Sequence, residues 1–239
     1  MKGLIVAIQF LTRLPTPRIK LSGDEFAASM RWFPVAGLIV GLIVAGGAWV
    51  GAQVDPWLGA LVGLVLWVTV TGALHLDGLG DVADGLGAAH KDRERLLAVL
   101  ADPHVGSFGV CAITLQIVCK LVLLQLLIAD RAWLPLILTP FVARIGPLFW
   151  ARMLPSLHDG LAACFRLAVR PVDLAIWLAA LFAAGLALPP LIFAAALVPL
   201  WGRYIVSRLG GMSGDGHGAG IELIESSLLA AALIWVRLA

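Results

Sequence analysis

The sequence predicts an all-α fold, a polytopic integral-membrane bundle of about seven transmembrane helices preceded by an N-terminal interfacial helix. Three observations carry this reading. Of 239 residues, 61% are hydrophobic and only 13% are charged, about half the ~25% charged content usual in a soluble domain. Mean hydropathy is +0.97, which excludes a disordered chain and an ordinary water-soluble globule. The apolar residues also fall in blocks of about twenty, the helix length that crosses a hydrocarbon core ~30 Å thick.

The first block, Gly3 to Leu11, is too short to span. It runs into Arg13, Pro15, Pro17 and Lys20 with no small-residue cleavage site, so it reads as an interfacial helix and not a signal peptide. Ser22 and Glu25 then have capping-box spacing, and Phe26, Met30 and Phe33 line one face of the short helix behind them. Spans are expected at residues 33–52, 57–74, 105–129, 132–150, 174–188, 191–207 and 221–236. Pro189-Pro190 divides the fifth from the sixth, either as a tight outer turn or as the kink of a re-entrant hairpin. Trp49, Trp57, Trp133, Trp150 and Trp201 stand near proposed span ends, as an aromatic belt requires. Gly37/Gly41, Gly47/Gly51 and Gly59/Gly63 are small-residue pairs at i, i+4, where helix backbones can approach closely.

Orientation follows from the cations. With the N-terminus cytoplasmic, Arg13, Arg18, Lys20, Arg31, Lys91, Arg93, Arg95, Arg152, Arg166, Arg170 and Arg208 fall on the inner side, and little besides Arg131 falls outside. Three polar stretches, residues 75–104, 151–173 and 208–220, therefore share the cytoplasmic face and can build one site. No polar stretch is long enough for a separate soluble core, so residues 1–239 read as a single membrane-embedded domain. A net charge of +2 gives no reason to expect nucleic acid as a partner. Cys111, Cys119 and Cys164 form no Cys-x-x-Cys pair, and neither a disulfide nor a zinc site is expected.

The most informative segment runs from His75 through Asp77, Asp81 and Asp84 to Gly87. At 100° per residue the three aspartates lie within about 60° of one another on a helix, with successive rises of ~4.5–6 Å. Stacked like charges near hydrocarbon need a compensating cation. Carboxylates suit hard ions, and Mg²⁺ takes one or two of them with water and substrate phosphate. Asp77 and Asp84 are ~10 Å apart along the axis and could share one ion only if the helix unwound near Gly78 or Gly80. Asp81 is the expected central ligand. A plain solvated acidic helix end is the simpler alternative.

A second acidic segment follows a glycine-rich stretch. Residues 210–220 hold six glycines in eleven positions, with Asp215 among them and Glu222 and Glu225 on the next turns. Such a stretch reads as a loop whose N–H groups meet phosphate oxygens while Asp215 or the glutamates hold a metal. A flexible connector is the bland reading. Asp102-Pro103 is a good helix start, so a capping role for Asp102 stands beside a ligand role. Lys120 falls in mid-span, where a buried structural pair is favoured over catalysis. Arg144 belongs to a set of arginines near the inner side that could frame an anionic substrate. His75, His90 and His217 adjoin the acidic segments, where histidine serves more often as an orienter than as a base.

In combination these residues resemble the cobalamin synthases, the adenosylcobinamide-GDP ribazoletransferases. The matching elements are Phe10-Leu11-Thr12-Arg13-Leu14-Pro15, Phe33-Pro34-x-x-Gly37, His75-x-Asp77-Gly78-x-x-Asp81-x-x-Asp84-Gly85, Asp102-x-x-Val105-Gly106-x-Phe108-Gly109 and Gly210-Gly211-Met212-Ser213-Gly214-Asp215, in family order over almost the whole length. The resemblance implies a multi-pass enzyme of the bacterial inner membrane with its site on the cytoplasmic side. It would join adenosylcobinamide-GDP to α-ribazole or its 5′-phosphate, releasing GMP with Mg²⁺ assistance. It implies metal binding by Asp77, Asp81, Asp84 and Asp215, with Glu222 and Glu225 completing a second acidic wall. Catalysis would fall to Asp81, Asp84, Asp215 and His75, and substrate contacts to Arg13, Asp102, Arg144, Gly211, Ser213 and Gly214. The lipid bilayer is the implied surrounding; association with other cobalamin-assembly enzymes and with further copies is left open.

Two rivals are weighed against this. A phosphotransferase that makes lipid from a CDP-activated alcohol would use the same Mg²⁺ physics, but that group places an Ala-Arg pair where this chain reads Leu79-Gly80-Asp81. A cation transporter would place its acids near the midplane, whereas here they fall at span ends.

Overall fold

The computed structural model describes residues 2–17, 19, 22–88, 93–157, 165 and 168–238. Arg18, Lys20, His90, Lys91, Cys164 and Arg166 lie outside them. Among the described residues the chain is helical and contains no named strand. Helix α1 (Lys2–Leu11) is followed by α2 (Gly23–Ala28), whose Ser22–Glu25 capping box forms as the spacing predicts. A 3-10 turn leads into α3 (Phe33–Ala52), and α4 (Pro56–Thr71) starts on Asp55, whose carboxylate accepts from the Trp57 N–H at 2.8 Å. Helix α5 covers Leu74–Ala88, α6 Arg93–Leu100 and α7 Ser107–Ala129. Then come α8 (Trp133–Ala143), α9 (Gly146–Met153), α10 (Pro171–Ala187), α11 (Ala194–Leu209) and α12 (Gly214–Leu238).

Among the described residues five helical stretches are long and apolar enough to cross a membrane: Gly23–Ala52, Ser107–Ala129, Trp133–Met153, Pro189–Leu209 and Gly214–Leu238. Helix α4, with 16 residues, passes that test only together with α5, and the two are bent by 82°. The bend is built at Gly72 and Ala73, both left-handed with φ of 61° and 58°. It sets α5 nearly at right angles to α4. Helix α10, with 17 residues, is apolar but shorter; by length and composition the described residues give five spans, or six with the bent pair, beside the seven expected. Pro189-Pro190 opens a 3-10 turn between α10 and α11, the tight-turn alternative. Large apolar side chains such as Leu115, Phe182, Leu186 and Leu200 are exposed on the bundle surface, as a lipid-facing exterior requires.

The small-residue pairs act as close contacts. A side chain added at Gly37 or Gly41 would run into the Pro140 and Ile137 carbonyl oxygens of α8, and Gly51 packs against Gly59 of α4. Without a hydrophobic drive between helices in lipid, such contacts supply dispersion where bulkier residues would hold the backbones apart. Trp150 departs from the aromatic-belt expectation: it is fully buried and donates to the Val198 carbonyl at 2.7 Å. Trp201 also turns inward, donating to the Gly216 carbonyl at 2.9 Å. Both indole N–H groups bond inside the protein, where the tryptophans brace α12 against α9 and α11.

Candidate active site

The two acidic motifs meet where α5 and α12 cross. A Cβ added at Gly78 would lie 2.9 Å from the Asp215 Cα, and one added at Gly218 would lie 3.3 Å from the His75 Cα. As one chain advances from 75 to 78 its neighbour retreats from 218 to 215, so the helices run antiparallel at backbone contact. Only glycine allows that approach. It gathers Asp77, which is exposed, with Asp81 and Asp215, which are half-buried. The Asp81 carboxyl is pushed up to about 6, first by burial and then by the charges of Asp215, Asp77 and Asp84. A carboxyl raised by neighbouring anions in this way marks a site that favours a cation.

Among the described residues no three His, Cys, Asp or Glu side chains are grouped closely enough to hold an ion together. A set of carboxylate oxygens at an open face nevertheless fits Mg²⁺, which is held by one or two carboxylates and keeps positions for water and phosphate. Helix α5 is continuous from Leu74 to Ala88. No unwinding at Gly78 or Gly80 brings Asp77 and Asp84 onto one ion.

Asp84, expected as a metal ligand and catalytic residue, is buried; its Oδ2 accepts from the Gly106 N–H at 2.7 Å and its Oδ1 from the Gly109 N–H at 2.9 Å. These amides belong to the start of α7, whose own N-cap is glycine and brings no side chain. Asp84 thus supplies the cap from another helix, and its charge meets the positive end of the α7 dipole. Asp102 does not start α7 either. It is exposed, and its Oδ1 accepts from the His104 N–H at 2.9 Å and pairs with His104 Nδ1 at 2.7 Å. Those bonds, the backbone one first, hold its carboxyl below the usual range.

Glu222 and Glu225, expected as metal ligands, lie buried among cations. Glu225 accepts from Lys120 Nζ at 2.5 Å and from Arg144 Nη1 at 2.7 Å, and all three side chains are buried. Glu222 pairs with Lys120 at 2.7 Å and accepts from the Gln116 amide at 2.9 Å. The Lys120 ammonium also stands 4.4 Å from the centroid of the Trp67 ring. Two cations and two anions close on one another in mid-bundle, the structural pairing foreseen for Lys120. Arg144, expected as a substrate contact, is held within the bundle in this structure. It stands at the break between α8 and α9, its guanidinium engaged by Glu225 and by the Pro140 carbonyl at 2.8 Å.

The glycine-rich stretch is less of a loop than expected, because α12 already begins at Gly214. Ser213 is buried and caps it, its Oγ accepting from the Gly216 N–H at 3.0 Å. At Gly211 a Cβ would lie 2.6 Å from the Leu157 nitrogen, beside the isolated bridge that joins Met212 to Ser156. These two expected substrate contacts are occupied with holding α12 in place. Gly214 is exposed, with nothing near its missing side chain. Arg13 is exposed at the α4–α5 bend, where its N–H donates to the Val70 carbonyl at 2.7 Å and its side chain lies over Gly72.

Beside the aspartates opens a pocket of about 230 Å³ lined by Phe10, Phe33 and Phe165 and by His75, His217, Asp77, Gly214 and Asp215, among others. His75 is buried, with its Nδ1 3.5 Å from Arg144 Nη2. The ring nitrogens of His217 and Nε2 of His75 have no hydrogen-bond partner. Sequence reasoning placed Phe10 and Phe33 in motifs without giving them a role, and nothing around Phe165 in sequence singled it out.

Fold and site together define a polytopic membrane protein with an acidic, cation-favouring face beside an apolar pocket. The cobalamin-5-phosphate synthase family pattern matches residues 3–233, and the chain belongs to that family. It is 61% identical to the adenosylcobinamide-GDP ribazoletransferase of Novosphingobium aromaticivorans, over 99% of both chains. The proteins of the same name from Thiobacillus denitrificans and Brevibacillus brevis are 48% and 34% identical, covering 100% and 96% of this chain and 98% and 96% of theirs. No solved structure matches.

Proposed function

We propose that this chain joins adenosylcobinamide-GDP to α-ribazole, or to its 5′-phosphate, at the face formed by Asp77, Asp81 and Asp215. The products are adenosylcobalamin, or its 5′-phosphate, and GMP. The observation that carries the reading is the Gly78–Asp215 crossing, which puts carboxylates from two distant motifs on one surface. The relatives' shared name supplies the substrates.

In this reading a ribose hydroxyl of the ribazole attacks the phosphorus bonded to cobinamide. A new P–O bond forms, the anhydride bond to the guanosine-bearing phosphate breaks, and GMP leaves with the bridging oxygen. Asp77, Asp81 and Asp215 would hold Mg²⁺, which when bound neutralises the diphosphate and the departing charge. The hydroxyl proton passes to one of the aspartate carboxylates or to His75, which lines the adjoining pocket. Asp84 acts at one remove, fixing α7 against α5 so that the acidic stripe keeps its place. The bundle would lie in the bacterial inner membrane with this face toward the cytoplasm, since the flanking segments carry most of the cations.

The test is product formation by purified protein in detergent or liposomes, supplied with adenosylcobinamide-GDP and α-ribazole with and without Mg²⁺. Equimolar, metal-dependent cobalamin and GMP are expected. Well-folded protein that makes neither product, with the 5′-phosphate also tried, would overturn the reading.

A further inference from the structure

The geometry points to the pocket between the three phenylalanines and the two histidines as the seat of the acceptor nucleoside's heteroaromatic base, with His217 recognising a ring nitrogen of that base. This rests on the transferase reading and adds to it where one substrate, and which part of it, is held.

Size is the first argument. At about 230 Å³ the pocket falls below the ~300–1,000 Å³ of sites that enclose a whole drug-sized ligand. It admits a ring system, and neither a corrinoid nor a guanosine diphosphate fits inside it. Wall chemistry is the second argument. Phe10 and Phe33 stack at 5.7 Å with 19° between their planes, and Phe165 stands edge-on to both at 6.3 and 6.0 Å. Rings so arranged present an apolar surface to another flat ring, by stacking or edge contact.

Unpaired polar atoms are the third argument. His217 is buried, 9% exposed, yet neither ring nitrogen has a partner, and His75 Nε2 is also unpaired. Trp150 packs on the His217 ring at 5.6 Å and holds it in position. Buried polar groups without partners are rare in folded proteins and ask for an explanation. A ligand nitrogen that accepts from an imidazole N–H provides one. The benzimidazole of α-ribazole, flat and methylated with a single free ring nitrogen, matches this pocket. Guanine, with several donors and acceptors along its edges, would leave most of them unpaired there. Asp77 and Asp215 line the same pocket, so a base seated in it would place its ribose toward the carboxylates.

The experiment uses the full chain in detergent and reads binding separately from turnover. Equilibrium binding of radiolabelled α-ribazole is measured without corrinoid, and KM is measured for each substrate. Saturable α-ribazole binding to the unaltered protein is expected, displaced by free 5,6-dimethylbenzimidazole and not by guanosine. His217→Ala and Phe165→Leu should each raise KM for α-ribazole at least tenfold and leave KM for adenosylcobinamide-GDP within twofold. Displacement on the unaltered protein needs no variant, so a variant that fails to fold does not cost the test. Absence of α-ribazole binding, displacement by guanosine in place of the benzimidazole, or a rise in the corrinoid KM alone would overturn the assignment. Absence of turnover with α-ribazole binding intact would instead sink the transferase reading and leave the pocket standing.

Discussion

The chain carries two groups of acids that have opposite surroundings. Asp77, Asp81 and Asp215 sit at an open face, and Asp81 is raised by its like-charged neighbours. Glu222 and Glu225 are buried and matched by Lys120 and Arg144. The difference teaches that burial in a bundle forces charge to be balanced within the protein, because uncompensated ions there cost several kcal/mol. At the open face, by contrast, Asp81 is only half-buried and stands among like charges. A carboxylate's depth, more than its motif, sorts framework from chemistry.

The sharpest break of that comparison is Asp81→Asn. Loss of turnover by about a thousandfold or more is expected with the fold retained, because phosphoryl transfer depends on positioning and charge stabilisation. In Mg²⁺-free buffer the same variant should melt higher than the unaltered protein, since a like charge has been removed. A lower melting temperature would put Asp81 among the framework acids.

Glu225→Gln tests the other group. It leaves Lys120 and Arg144 short of a counter-charge, and one-sided removal of a buried ion-pair partner costs about 3–5 kcal/mol. A large fall in detergent melting temperature is expected, measured by tryptophan fluorescence; an unchanged value would mean that the quartet does not hold the bundle. Asp84→Asn should lie between the two. It keeps one acceptor for the α7 amides and loses the charge, so we expect a few degrees of destabilisation and turnover reduced about tenfold, far less than at Asp81. Equal losses at both positions would return Asp84 to the catalytic face.

The smallest effect is a pH dependence. The Asp81 carboxyl moves from an ordinary 3.8 to about 6 on folding, so its ionised form is disfavoured in the fold. Without metal, its contribution makes the protein less stable as pH rises from about 4 to about 6, and level above that. Added Mg²⁺ should therefore raise the melting temperature more at pH 7.5 than at pH 5.5, by differential scanning fluorimetry. An equal gain at both values would separate the metal from this carboxylate.

Much of the fold was legible in sequence because it rests on local rules. The Ser22–Glu25 cap, the glycine pairs of α3 and α4, the helical acidic stripe and the pairing of mid-span Lys120 each follow from spacing and from the cost of burying charge. What was not legible shares one cause. Asp84 meets Gly106 and Gly109 across 22 and 25 residues, and Glu225 meets Lys120 across 105. No periodicity encodes such partners. Trp150 looked like a belt residue because a span end near it was expected, and the break at Arg144 placed it in the core instead.

By itself the sequence determined that this is a membrane bundle, which residues carry its charge, and that its acids gather in two motifs, since hydropathy and helical period are local properties of the chain. Tertiary structure alone decided which of those acids lie at the open face and which are paired in the interior. That choice is made by long-range contacts, above all the glycine crossing of α5 and α12, which brings Asp215 to Asp81 and leaves the glutamates among cations two turns deeper.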